Sequence, residues 1–239
     1  MSNPLGVSAD QRLAQVRARI RAAAQAARRD PETVTLLAVG KTKLVADLLA
    51  LARRGQRHFG ENYVQEALEK QRALAQWPLV WHFIGPIQSN KTRDVAACFS
   101  WAHTVDRLKI ARRLQEQRPE GLPPLNICLQ VNVSGERAKS GVAPDEVLDL
   151  AREVVAFDRL RLRGLMTIPA PEADPSKQRL PFATLRECLE ALKQRLPTQP
   201  LDTLSMGMSA DLAAAIAEGA TMVRVGSALF GPRTPKPAF

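Results

Sequence analysis

Thr33–Gly40 reads TVTLLAVG, and Lys41 follows it. The run is apolar throughout and rich in β-branched residues, as expected of a strand buried on both faces of a parallel sheet. Side chains alternate along a strand, so Leu37, Val39 and Lys41 share one face. The period then changes. Leu44–Arg54 reads as a helix with basic residues in its last turn and Gly55 as its stop.

This strand–helix pair recurs along the chain. Arg57–Gly60 precedes a helix over Asn62–Ala75, and Val80–Gly85 precedes one over Ser89–Ala97. Trp101–Val105 leads to a helix starting near Asp106. Leu125–Val133 leads to a helix that opens after Pro144, a favourable first-turn position. Leu160–Ile168 is followed by a Pro-rich loop to Pro181 and a helix through Arg195. Thr203–Met208 pairs with Ala210–Glu218, and Met222–Gly226 is the eighth strand. Upstream, Ser8 and Gln11 match a capping box, and Leu13, Val16, Ile20 and Ala27 keep helical spacing, which predicts an N-terminal helix within residues 8–30.

Eight alternations predict a closed α/β barrel, a single (β/α)8 domain of the TIM type with an extra N-terminal helix. A doubly wound open sheet is the alternative, but the first strand lacks a GxGxxG turn and no linker divides the chain. The domain spans 1–239, with an extended Pro-rich tail at 232–239.

Composition narrows the function. Apolar residues make up 45% and aromatics 5%, and no apolar run nears the ~20 residues that span a bilayer. Cys98, Cys128 and Cys188 are far apart and form no CxxC pair, which predicts free thiols in a reducing compartment. The N-terminus has no basic region followed by an apolar one, so the expected location is cytoplasmic. Lys and Arg number 34 against 24 Asp and Glu, a net charge of +10. The basic residues are interleaved with acids and there is one tyrosine for stacking bases. A dispersed, solvated basic surface is therefore expected, with no specific nucleic-acid footprint and no membrane partner.

Barrel sites sit at the C-terminal ends of the strands. Lys41 ends the first. An amine at the mouth of an apolar core, with Lys43 close by, suits Schiff-base chemistry; a lysine serving solubility is the competing reading. SMGMSAD (Ser205–Asp211) ends the seventh strand with small residues and Ser209 as a candidate helix cap, a pattern that can bind phosphate; taken alone, a capped helix after a glycine turn is the favoured reading. MVRVGSALFG (Met222–Gly231) ends the eighth and puts Arg224 and Gly226 on one face. Barrels commonly bind phosphate between these two loops. His58, His82 and His103 lie on consecutive strands but form no HxH or HxxxH pair, so no metal is expected.

LLAVGKTK, FGENYVQE, WHFIGPIQSNK, TVDRL, KSGV, LRGLMTIPAP, LSMGMSADLAAAI and MVRVGSALFG together resemble the YggS/PROSC family of pyridoxal 5′-phosphate (PLP) homeostasis proteins. The resemblance runs from the first helix to Gly231. It implies a barrel similar to the N-terminal domain of alanine racemase, with PLP held on Lys41 as an imine. It implies a phosphate site at Ser209, Gly226 and Ser227, Arg224 facing the pyridine nitrogen, and Asn62, His82, Met166 and Met206 around the ring. Lys139 is a second family lysine near the mouth. Gly40 stands where many members have Ser, which removes a hydroxyl and is expected to loosen the backbone.

The function so implied is carriage and buffering of PLP for intracellular vitamin B6 homeostasis, without turnover. Apoenzymes that use PLP would be the recipients, and a monomer is expected. A weak amino-acid racemase or another PLP-dependent enzyme is the alternative. Against it, Tyr63 is the only tyrosine and lies on an early helix, and no residues remain for a second domain to supply an opposing base.

Overall fold

The computed structural model describes residues 7–136, 140–172 and 174–231. Lys139 and the tail at 232–239 lie outside them. Eight parallel strands close in chain order: β1 (Thr35–Val39), β2 (His58–Glu61), β3 (Val80–Phe83), β4 (Trp101–Val105), β5 (Leu125–Gln130), β6 (Leu160–Met166), β7 (Thr203–Ser205) and β8 (Met222–Val225). The predicted α/β barrel is the observed fold. Helices α1 (Ala9–Ala26), α2 (Val45–Ala52), α3 (Val64–Ala73), α4 (Thr92–Cys98), α5 (Leu108–Gln117), α6 (Val147–Val154), α7 (Pro175–Gln178), α8 (Leu180–Arg195), α9 (Leu212–Ala217) and α10 (Ser227–Phe230) accompany them.

Alternation along each strand separates two apolar regions. Leu36 and Ala38 face the helix layer and join the main core, whereas Leu37 packs inside the barrel with Ile84 and Met222. Trp101, Cys128 and Met166 form a second interior cluster. The rest of the interior is polar, with His82, His103, Ser205 and Arg224 all buried.

The capping box at Ser8 and Gln11 forms, and Leu13, Val16, Ile20 and Ala24 bury the inner face of α1. The helix stops at Ala26, short of residue 30, because Arg28 turns at φ 56°. Its basic face is not merely solvated. Arg12 Nε donates to the Leu229 carbonyl (2.7 Å), Arg19 Nη2 to that of Ser209 (2.7 Å), and Arg29 Nη1 to that of Ile216 (2.8 Å). Arg12 and Arg19 thus tie α1 to α10 and the loop after β7, and Arg29, just past the helix end, adds a tie to α9.

That loop corrects another expectation. Strand β7 ends at Ser205, not Met208, because the chain turns at Gly207 (φ 91°), where a Cβ would lie 2.5 Å from that of Ala215. The Met208 N–H donates to Asp211 Oδ1 (2.5 Å), so Asp211 closes the turn and α9 starts at Leu212. Ser209 is therefore not the helix cap. The three cysteines are free thiols, and burial pushes Cys128 up to about 12.

Candidate functional site

The turn after β1 is tightly built. The Gly40 N–H donates to the Gly60 carbonyl (2.9 Å), and the Gly40 carbonyl accepts from the Lys43 N–H (3.0 Å) and from Lys70 Nζ (2.6 Å). A Cβ on Gly40 would stand 2.6 Å from Glu61 Oε1 and 3.2 Å from both Leu48 methyls. Glycine here answers a shortage of space, and the backbone is held, not loosened. Thr42 sits at φ 63°, a strained position for a β-branched residue. Its N–H donates to Glu66 Oε1 (2.5 Å). Lys70, 3% exposed, also binds Glu61 Oε1 (2.9 Å) and Glu66 Oε1 (2.5 Å). Burial pushes the Glu61 carboxyl up to about 7, against the opposing pull of Lys70 and Lys41.

Lys41 lies in this turn and lines a cleft with Val39, Thr42, Lys43, Gly226 and Ser227. Strands β1 and β8 pair Leu37 with Arg224, which brings their C-terminal ends together. Gly226 and Ser227 open the one-turn helix α10, whose first N–H groups have no acceptor within the helix. Lys43 Nζ donates to the Gly231 carbonyl at its far end (3.1 Å).

Arg224 is buried inside the barrel and forms no salt bridge among the described residues. Nη1 donates to the Ser205 carbonyl (2.6 Å) and Oγ (3.0 Å), and Nη2 to the Thr167 carbonyl (2.8 Å). Nε–H and one Nη2–H are left of the five N–H donors an arginine carries. Desolvation lowers its pKa to about 10, so it stays charged at neutral pH.

The histidines also bond to one another. His58 Nδ1 meets His82 Nε2 (3.0 Å), His82 Nδ1 meets His103 Nε2 (2.9 Å), and His103 Nδ1 meets Ser205 Oγ (2.8 Å). Register explains the alignment. His58 pairs with Val80 and His82 with Trp101, so each histidine sits two residues higher than the one on the preceding strand. Burial lowers all three pKa values, that of His103 to about 3, and keeps the rings neutral.

The structure brings Lys41, Gly226 and Ser227 to one cleft, with Arg224 on the strand that ends there. Asn62 follows β2, and its Oδ1 is buried without a partner among the described residues. Met166 and His82 lie inside the barrel, His82 stacked on Trp101 (5.4 Å between centroids). Ser209 does not line the Lys41 cleft; its carbonyl is taken by Arg19. Met206 is a correction. Ser205 points into the barrel, so Met206 alternates outward and is fully buried in the helix-facing core with Leu204. Glu61, Glu66 and Lys70 escape a sequence reading of the site. Glu66 and Lys70 have the i,i+4 spacing of an ordinary exposed helix pair, and only the fold buries the lysine.

These features suit a phosphorylated aldehyde: an amine at a strand end, small residues before free helix N–H groups, a fixed cation and an orphaned amide oxygen. The model of the alanine racemase N-terminal domain matches residues 11–234. The pyridoxal phosphate homeostasis protein of Pseudomonas aeruginosa is 63% identical over 221 residues, covering 92% of this chain and 94% of that protein. Its counterpart from Escherichia coli K12 is 53% identical over 224 residues (92% and 95%). PipY of Synechococcus elongatus, solved with PLP bound, superposes with a TM-score of 0.83 at 37% identity, covering 94% of this chain and all of that one. An alanine racemase of Clostridium difficile shares the fold at 15% identity (TM-score 0.71); this chain covers 94% of itself but 58% of the racemase. The chain belongs to the alanine racemase N-terminal domain family and, within it, to the pyridoxal phosphate homeostasis proteins of the YggS/PROSC type.

Proposed function

We propose that this protein binds PLP at Lys41 and carries and buffers it without turning over a substrate. The observation that carries the reading is the convergence of Lys41, Gly226 and Ser227 in one cleft at the ends of β1 and β8. When bound, PLP supplies an aldehyde that a lysine amine captures reversibly. Lys41 provides that amine, in a turn fixed by Glu66 and Lys70. Ser227 and the first N–H groups of α10 hold the phosphate; Ser209, on the loop after β7 and outside the cleft lining, is the further hydroxyl that the family resemblance implies. Asn62 supplies a polar contact, and His82 and Met166 form the floor.

Arg224 faces the pyridine nitrogen as a permanent cation that can only donate hydrogen bonds. It disfavours a second positive charge on the ring and so weakens the ring as an electron sink. Tyr63, 57% exposed at the start of α3, is not buried in the barrel as an opposing base. The exposed Tyr63 favours a carrier over a racemase, and a cation at the ring nitrogen would act in the same direction. PLP-dependent apoenzymes in the cytoplasm are the recipients such a monomeric carrier would serve. No helix among the described residues is long and apolar enough to cross a membrane.

Titration of cofactor-free protein followed by visible absorption tests the reading. Wild type should saturate with one PLP, and Lys41→Ala should lose the absorbing species. Charge-assisted hydrogen bonds contribute about 1.5–3 kcal/mol each, so pyridoxal without phosphate should bind at least ~10-fold more weakly. Equal affinity for the two vitamers, or an unchanged Lys41→Ala spectrum, would refute it.

A further inference from the structure

The three histidines and Ser205 form a chain through the barrel, from the first residue of β2 to Arg224 on β8. Its resting polarity is the one that satisfies every donor at its end. Arg224 can only donate, so Ser205 Oγ accepts from Nη1 and its own O–H goes to His103 Nδ1. His103 then carries its proton on Nε2 and donates to His82 Nδ1. His82 donates from Nε2 to His58 Nδ1, leaving the His58 proton on Nε2. The opposite polarity would aim two donors at one hydroxyl oxygen and leave the O–H without that acceptor.

His58 lines a cleft of about 330 Å³ beneath β1 and β2, on the far side of the barrel from Lys41. Its Nε2 has no protein partner among the described residues. Arg17 and Arg21 of α1 reach the same cleft and make no hydrogen bond or ion pair among the described residues, whereas Arg57 is tied to the Ala52 carbonyl (2.7 Å). Glu32, before β1, is the single acid in the lining, and Thr35 and Gln56 are neutral. From inside the barrel, His82 is the titratable group that His58 bonds to among the described residues. Three cations and an N–H donor against one carboxylate favour an anion, and the volume exceeds that of a single phosphate ion.

We propose that this cleft binds a small multivalent anion of the phosphate class, and that the histidine chain couples its occupancy to the Arg224 end of the barrel. Arg17 and Arg21 hold the anion, which offsets their repulsion of a charged His58. A second proton on His58 requires Nδ1 to become a donor. Each bridging hydrogen then crosses to the partner nearer the cleft: from His82 to His58, from His103 to His82, and from Ser205 to His103. One proton taken up from solvent restores the Ser205 hydroxyl. The sum is one proton gained and one positive charge at His58. His82 and His103 remain neutral but change tautomer, and the Ser205 O–H turns away from His103.

The inference is independent of the Lys41 reading. Nitrogen-15 histidine NMR on the full chain, saturated with PLP so that the upper phosphate site is filled, tests it with inorganic pyrophosphate as the probe. The visible band of the bound cofactor reports the Lys41 reading separately on the same sample. Pyrophosphate should raise the His58 titration midpoint saturably, by about one pH unit. In step with it, His82 and His103 should pass from Nε2–H to Nδ1–H while neutral. Arg17→Gln with Arg21→Gln should abolish both effects. No saturable shift, or one that survives in the double variant, overturns the site. A shift of His58 with His82 and His103 unchanged overturns the coupling.

Discussion

Lys41 owes its place to residues that stand behind it. Lys70 links the Gly40 carbonyl, Glu61 and Glu66, and Glu66 fixes the Thr42 N–H. Removing one partner of a buried ion pair leaves an uncompensated charge, at about 3–5 kcal/mol. Lys70→Met should therefore lose about that much stability at pH 8 in urea unfolding. Without Lys70 the Glu61 carboxyl moves above its present value of about 7, so at pH 5 it is neutral and the loss should be clearly smaller. A pH-independent loss would show that Glu61 is not the stranded charge. The placement of Lys41, Arg224 and Gly226 at adjoining strand ends was legible in the sequence because each stands where an apolar run stops. The supporting triad was not, since Glu61 and Lys70 are ordinary residues until the fold buries them. Met206 was misplaced because strand parity, fixed by where β7 starts, decides which of Ser205 and Met206 turns inward.

Helix α1 adds a device that periodicity could not reveal. Its buried stripe was legible, but Arg12 and Arg19 on its other faces, which read as solvated, hold carbonyls of α10 and the loop after β7. Arg19 holds the Ser209 carbonyl, so it positions one side of the proposed phosphate cradle. Arg19→Ala should weaken PLP binding about 5–10-fold, the loss of roughly one hydrogen bond from a charged donor. Pyridoxal, which has no phosphate, should bind the variant as it binds wild type. An equal loss for both vitamers would place the effect of Arg19 elsewhere. The eight alternations located every strand, while their ends shifted by several residues where side chains set the turn, as Asp211 does after β7.

Closing the barrel buries three histidines as neutral rings, and this should govern its response to acid. Their folded pKa values lie below the unfolded value of about 6.5, so below that pH the unfolded chain binds more protons and stability falls. Glu61 opposes them. Its folded value of about 7 lies above the unfolded 4.5, so it adds stability as pH falls through that window. Each group contributes at most ~1.4 kcal/mol per pH unit. Three against one predicts a net loss of stability as pH falls below about 6.5 in urea unfolding, steeper in Glu61→Gln; a flat profile would contradict it. The barrel itself was legible because eight strand–helix pairs leave few closed arrangements. The histidine chain was not, since it depends on a two-residue stagger between neighbouring strands that only closure fixes. The assignment of the cofactor to Lys41 is tested most directly by borohydride reduction of the PLP-loaded protein, followed by peptide mass mapping. The reduced adduct should lie on Lys41, and an adduct on Lys43 or Lys139 instead would contradict it.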